Sequence, residues 1–320
     1  MKWLKRLFRR TEAEKNASSV PVVAQPAPPA SEPAAPTSPS PSTERGLVKI
    51  EAGTSQGATM PLPPIPVQLS AGLRFGWATD PGLVRPSNED AILILDIVYQ
   101  GSRELVPVGL FLVADGMGGH QGGEQASDLA VREIARYLTT HLLIPHLAHR
   151  GPEHPIKEVL EKSLQAANAQ ILQAVPGGGT TVVGALVMGD SAHLIHVGDS
   201  RAYLVWPDRL EQLTEDHSLV QRMISLKGLS EEDAAGVPRN VLYQALGYPS
   251  RLNPGYRRVS LPRDAWLMLC TDGLWGELSE AQILRIVWES NSPQEACQRL
   301  VQEAKAAGGH DNISVIMVGR

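Results

Sequence analysis

A chain of 320 residues, 42% hydrophobic and 20% charged, has enough apolar material for one large core or two smaller ones. The formal charge is −5, but the first ten residues hold five basic side chains, which leaves 24 basic against 34 acidic residues elsewhere. That balance excludes a nucleic-acid-binding body, which needs a basic face. Two cysteines, Cys270 in an apolar run and Cys297 in a helical pattern, exclude a disulfide framework and fit a reducing cytoplasm.

Residues 1–15 form a basic amphipathic segment. Trp3, Leu4, Leu7 and Phe8 fall on one side of a helix and Lys2, Lys5, Arg6, Arg9 and Arg10 on the other, the pattern of peripheral contact with the anionic inner face of a membrane through Met1–Arg10. Residues 16–70 read as a Pro/Ala/Ser-rich disordered linker, with eight prolines from Pro21 to Pro41. No window reaches the ~18 uninterrupted apolar residues of a membrane span.

Residues 71–320 are the folded domain. Arg74 to Thr79 reads as a strand, followed by the turn-rich Asp80 to Asp90 and the apolar run Ala91 to Val98. Arg85 in that loop is either a surface ion-pair partner or a bidentate holder of phosphate oxygens. The organising stretch is Gly109 to His120, where a short apolar strand stops at Asp115 and a run of glycines follows, leaving the backbone open to close approach. Gly122 to Leu143 and Lys157 to Gln173 are helical in pattern and form one layer against a sheet. Between them His146, His149 and His154 lack a completing acid or cysteine and sit among Pro145, Pro152 and Pro155, which favours a solvated loop over a zinc site.

Gly177-Gly178-Gly179-Thr180-Thr181 opens the strand Val182 to Met188. It fails as a P-loop for want of a Gly-Lys-Ser/Thr ending and a following helix, and Gly116-x-Gly118 lacks the third glycine of a dinucleotide fingerprint. Ala192 to Val197 and Arg201 to Trp206 read as a hairpin around Gly198-Asp199-Ser200. Gln212 to Gly236 is polar with helical character, and in it Asp216-His217-Ser218 suits a helix cap better than a nucleophilic triad. Glu280 to Trp288 and Pro293 to Ala307 are amphipathic helices capped by Ser279 and Ser292, and Ile313 to Val318 is a last strand. Helices in consecutive pairs among many strands predict an α+β layered architecture.

Four aspartates, Asp115, Asp199, Asp272 and Asp311, recur at strand edges. One Asp-Gly is ordinarily a turn. Four in the same context imply a cation between them, because isolated charges are costly to bury, and oxygen-only ligands favour Mg2+ or Mn2+ over Zn2+.

Taken in order, Arg85-x-x-Asn88-Glu89-Asp90, Ala114-Asp115-Gly116-Met117-Gly118-Gly119-His120, Gly179-Thr180-Thr181, Val197-Gly198-Asp199-Ser200-Arg201, Asp216-His217-Ser218, Gln244-Ala245-Leu246-Gly247, Cys270-Thr271-Asp272-Gly273-Leu274 and His310-Asp311-Asn312-Ile313-Ser314 resemble the successive motifs of the metal-dependent serine/threonine protein phosphatases of type 2C in their bacterial form. The resemblance spans Leu73 to Gly319. It implies a central antiparallel β-sandwich flanked by pairs of helices, with a metal cleft at one edge. By position Asp115 would bridge two ions, either Mn2+ or Mg2+, the Gly116 carbonyl would bind one, and Asp272 and Asp311 would hold the other. Asp199 matches the position of a third, weaker ion. Glu89 and Asp90 would act through metal-bound water, Arg85 would hold the substrate phosphate, and about 212–240 would be a flap.

The implied reaction is hydrolysis of phosphoserine or phosphothreonine in a phosphoprotein substrate, opposing a Ser/Thr protein kinase, by a monomer in the cytoplasm. Members from eukaryotes often carry His where this chain has Met117; Met cannot donate a proton, which leaves His120 or a metal-bound water as donor. The alternative is a catalytically weak phosphoprotein-binding module tethered by its N-terminal tail.

Overall fold

The computed structural model describes residues 72–97, 107–118, 120–227, 241–249 and 251–320, with the side chain of His120 outside that description. The expected basic segment and linker, and residues 228–240 of the expected flap, lie outside the described residues.

The fold follows from strands that are apolar on both faces. In β3 (Val108–Met117) Leu110, Leu112 and Ala114 enter one core while the intervening Phe111 and Val113 enter another, which is why the sequence shows a run instead of an alternation. Its sheet has the order β2 (Asp90–Ile97), β3, β5 (Val182–Met188), β6 (Ser191–Val197) and β9 (Gly255–Ser260), with the short β4 (Gly179–Thr180) extending β3's ladder. The second sheet has the order β1 (Arg74–Asp80), β11 (Ile313–Gly319), β10 (Trp266–Cys270), β7 (Arg201–Val205) and β8 (Leu210–Gln212). All pairings are antiparallel.

Phe111, Val183 and Leu194 of one sheet meet Leu204, Leu267 and Ile316 of the other in the middle core. The outer face of β3 and β5 is covered by α1 (His120–Leu138), which runs through a wider turn at Thr139–Leu143 into α2 (Ile144–Leu147), and by α3 (Ile156–Ala174); Ile134, Leu138, Leu160 and Leu164 are fully buried there. Beyond α4 (Leu219–Lys227), the outer face of the other sheet takes α5 (Asp272–Trp275), α6 (Glu280–Glu289) and α7 (Pro293–Ala307) through Ile283, Cys297 and Leu300. The sandwich with paired flanking helices is the expected fold class. As expected, Ser279 caps α6 in a reciprocal box with Gln282, and Ser292 accepts from the Glu295 amide at the start of α7. No helix among the described residues is long and apolar enough to cross a membrane.

Two expectations are corrected. β6 and β7 are not a hairpin: β6 pairs with β5 and β9, whereas β7 pairs with β10 and β8, so Gly198-Asp199-Ser200 carries the chain from one sheet to the other. Gly198 makes this possible at φ +103°, with Thr181 packed against its Cα. In the stretch expected to be helical from Gln212, the first residue still belongs to β8, and among the described residues the helix spans Leu219–Lys227. β9 is an exposed edge strand bearing Arg257 and Arg258, so it carries no apolar signal.

Gly198→Ala is expected to destabilise the domain by about 2 kcal/mol or more, because a Cβ combines left-handed strain with a 2.6 Å approach to Thr181 Cβ. Urea denaturation reads this directly; a midpoint equal to that of the wild type would contradict the account of the sheet crossing.

Candidate active site

The inner stripe of the sandwich does not end in apolar residues. Asp90 continues the face of Ile92 and Ile94, Asp115 continues that of Phe111 and Val113, and the two acids are directly opposed across the β2–β3 ladder. Asp272 enters from the end of β10 at the start of α5, Asp311 from the residue pair leading into β11, and Asp199 from the crossing between sheets. The eight sequence-predicted residues, Arg85, Glu89, Asp90, Asp115, Gly116, Asp199, Asp272 and Asp311, therefore gather at one edge.

The charges feel one another. Burial pushes the Asp115 carboxyl well above its ordinary range, and the charges of Asp90, Asp272, Asp199 and Asp311 push it further. Burial likewise lifts Asp90 to about 7, although hydrogen bonds from Ser314 and Thr271 oppose the rise, and Asp199 to about 7. Asp272 is raised by burial and by Asp311. At the rim, Arg85 Nη2 donates to Asp311 Oδ2 at 2.6 Å, and this bond raises the guanidinium pKa.

Supporting side chains fix these groups. Asn312 is the hub: its amide nitrogen donates to the carbonyls of Pro81 (3.0 Å) and Ser87 (2.9 Å), its side-chain oxygen accepts from the Glu89 amide (2.8 Å), and its own amide donates to Asp311 Oδ1 (2.8 Å). Thr271 Oγ1 donates to Asp90 Oδ2 at 3.0 Å, and Trp275 Nε1 ties α5 to the Asp199 carbonyl at 3.2 Å. The Gly116 amide donates to the Glu89 carbonyl (3.1 Å), which also accepts from Ser127 Oγ of α1 (2.6 Å), and a Cβ at Gly116 would overlap Gly123. Asn312, Thr271, Trp275 and Ser127 were not among the predicted site residues. For Asn312 the signal was its place directly after a strand-edge aspartate; nothing local marks Trp275 or Ser127.

Among the described residues no three His, Cys, Asp or Glu side chains already surround one point as a coordination shell. Asp311 is turned to Arg85, and one oxygen of Asp90 to Thr271. The donor set nevertheless fits a hard divalent cation: it is all oxygen, and the buried Asp90 Oδ1 and Asp272 Oδ1 have no hydrogen-bond partner. Mutual repulsion of this kind is what a divalent cation relieves.

Several known proteins are similar to this chain in sequence and fold. The serine/threonine phosphatase stp of Listeria innocua serovar 6a is 35% identical over 247 residues, 76% of this chain and 94% of its own length. The solved structure of Stp1 from Staphylococcus aureus superposes with a TM-score of 0.66 at 29% identity, covering 78% of this chain and 95% of that one. The catalytic domain of the phosphatase PstP in complex with two manganese ions gives 0.60 at 30% identity, covering 78% and 98%. The fold is thus that of a protein phosphatase. The family model described as Protein phosphatase 2C matches residues 88–304, and the chain belongs to that family.

Because burial and repulsion raise Asp90 and Asp199 to about 7, the folded state without cation binds more protons than the unfolded chain between about pH 4 and 7. Its stability should therefore fall as pH rises through that window, and Mn2+ should raise Tm more at pH 7.5 than at pH 5. Calorimetry in EDTA and in Mn2+ tests this; a Mn2+ effect of equal size at both pH values would contradict it.

Proposed function

We propose that this chain hydrolyses phosphoserine and phosphothreonine in proteins, with two divalent cations, Mn2+ or Mg2+, held by the acid cluster. The observation that carries the reading is the convergence of Asp90, Asp115, Asp199, Asp272 and Asp311 at one sandwich edge, with raised carboxyl pKa values and two buried, partnerless oxygens. The manganese in the related PstP domain supports the choice of metal. When bound, such cations supply hydroxide at neutral pH and offset the negative charge of the phosphoryl oxygens.

In this reading Asp115, the Gly116 carbonyl, Asp272 and Asp311 would hold the two cations, with Asp115 common to both, and Asp199 would serve a third and weaker position. Glu89 and Asp90 act from behind this set through water. Arg85, half-exposed at the rim, exchanges Asp311 for the substrate phosphate, to which its planar fork is matched. Asn312 keeps the Arg85 loop and the Asp311 segment in register. The physiological setting that fits this chemistry is opposition to a Ser/Thr kinase by a cytoplasmic monomer. Peripheral attachment through Met1–Arg10 belongs to the same proposal.

Phosphate release from a phosphothreonine peptide should require Mn2+ or Mg2+ and stop in EDTA. Asp115→Asn should remove at least about 10²-fold of the rate, the scale of a lost charge-stabilising group; unchanged turnover would overturn the assigned centre. Arg85→Ala should lower kcat/KM about tenfold or more, from the loss of charge-assisted hydrogen bonds. An Arg85→Ala enzyme with wild-type kcat/KM would remove Arg85 from phosphate binding.

A further inference from the structure

We propose that the Tyr248 hydroxyl is the proton donor to the leaving serine or threonine oxygen, an inference that rests on the phosphatase reading above. β3 remains extended and paired as far as Met117, opposite Gly179 of β4. Asp115 and Met117 are two residues apart on that strand and so project from the same face, about 7 Å apart. Met117 thus stands next to the acid cluster on its solvent side, ahead of the exposed Gly118. A thioether has no proton to give.

Tyr248 supplies one at that place. Its hydroxyl donates to Met117 Sδ at 3.4 Å. The residue is held firmly: Leu246 and Thr180 exchange backbone hydrogen bonds of 3.0 and 2.9 Å, and the Gly247 amide donates to Asn168 Oδ1 at 2.8 Å. Gly247 turns the chain at φ +86°, and the Tyr248 ring lies over Gly179, where a Cβ would come within 2.9 Å of Cε1. Sulfur in a thioether is a weak acceptor, so the O–H loses little by turning to a better oxygen.

The substrate's shape decides which oxygen that is. A phosphoprotein can insert only its phosphoryl end toward the partly buried Asp115 and Asp272, and the ester oxygen stays at the rim. Tyr248 is 38% exposed there. As the P–O bond to the side chain breaks, the oxygen takes the phenolic proton and departs as the alcohol. Water replaces it on phosphorus, and the phenolate recovers a proton from solvent. Phenols are protonated at neutral pH and serve elsewhere as general acids.

The test compares leaving groups, using the full chain with Mn2+. Threonine leaves a phosphopeptide as an alkoxide that needs a proton, whereas p-nitrophenol leaves its phosphate as a stable anion. In Tyr248→Phe, which keeps the ring over Gly179, the ratio of kcat on the phosphothreonine peptide to kcat on p-nitrophenyl phosphate should fall about 10²-fold, the scale of a lost general acid. An unchanged ratio overturns the proposal, whether both rates hold, which assigns the proton to another group such as His120, or both fall equally, which makes Tyr248 a packing residue. A wild-type protein inactive on both substrates overturns the phosphatase reading itself, and this proposal with it.

Discussion

The repulsion between carboxylates held at the edge of an apolar interior is the constraint around which this domain is built. Asp90 and Asp115 are neighbours on adjacent strands, on the face that two residues further into the sheet carries Ile92 and Val113. Like charges directly opposed across a ladder destabilise it, and burial aggravates the effect. A fold keeps such an arrangement when something cationic compensates it, and the sandwich supplies the rigidity that stops the acids from relaxing apart.

That rigidity comes from the sheets and from a small set of polar anchors. β3 is packed on both faces, so its end cannot move without disturbing two cores. The Arg85 loop is a long irregular segment, yet Asn312 binds it at three backbone positions and Thr79, Asn88 and Ser314 continue the network. Arg201, bidentate to Asp216 and stacked 3.5 Å over Trp275, braces the crossing that delivers Asp199. The acids come from five separate chain segments, which is why their association depends on the whole fold.

Much of this was legible in the sequence because strand ends announce themselves: an apolar run followed by Asp and Gly marks Asp115 and Asp272 without any tertiary information. The caps Ser279 and Ser292 were legible for the same reason, since capping is local. The hairpin expected around Asp199 was not borne out, because adjacency in sequence favours pairing and nothing in Gly198-Asp199-Ser200 encodes which sheet β7 will join. Asn312 and Tyr248 escaped notice as site residues because their roles lie in partners 225 residues or more away, for Ser87 and Pro81, and 131 away, for Met117.

Anomalous diffraction at the manganese edge, from crystals grown at neutral pH and soaked in Mn2+, tests the central claim most directly. The account predicts two strong peaks in the cleft between Asp115, Asp272 and Asp311, with a weaker one beside Asp199. An enzyme that turns over phosphopeptide in the same buffer but shows no peak between those three aspartates would contradict it.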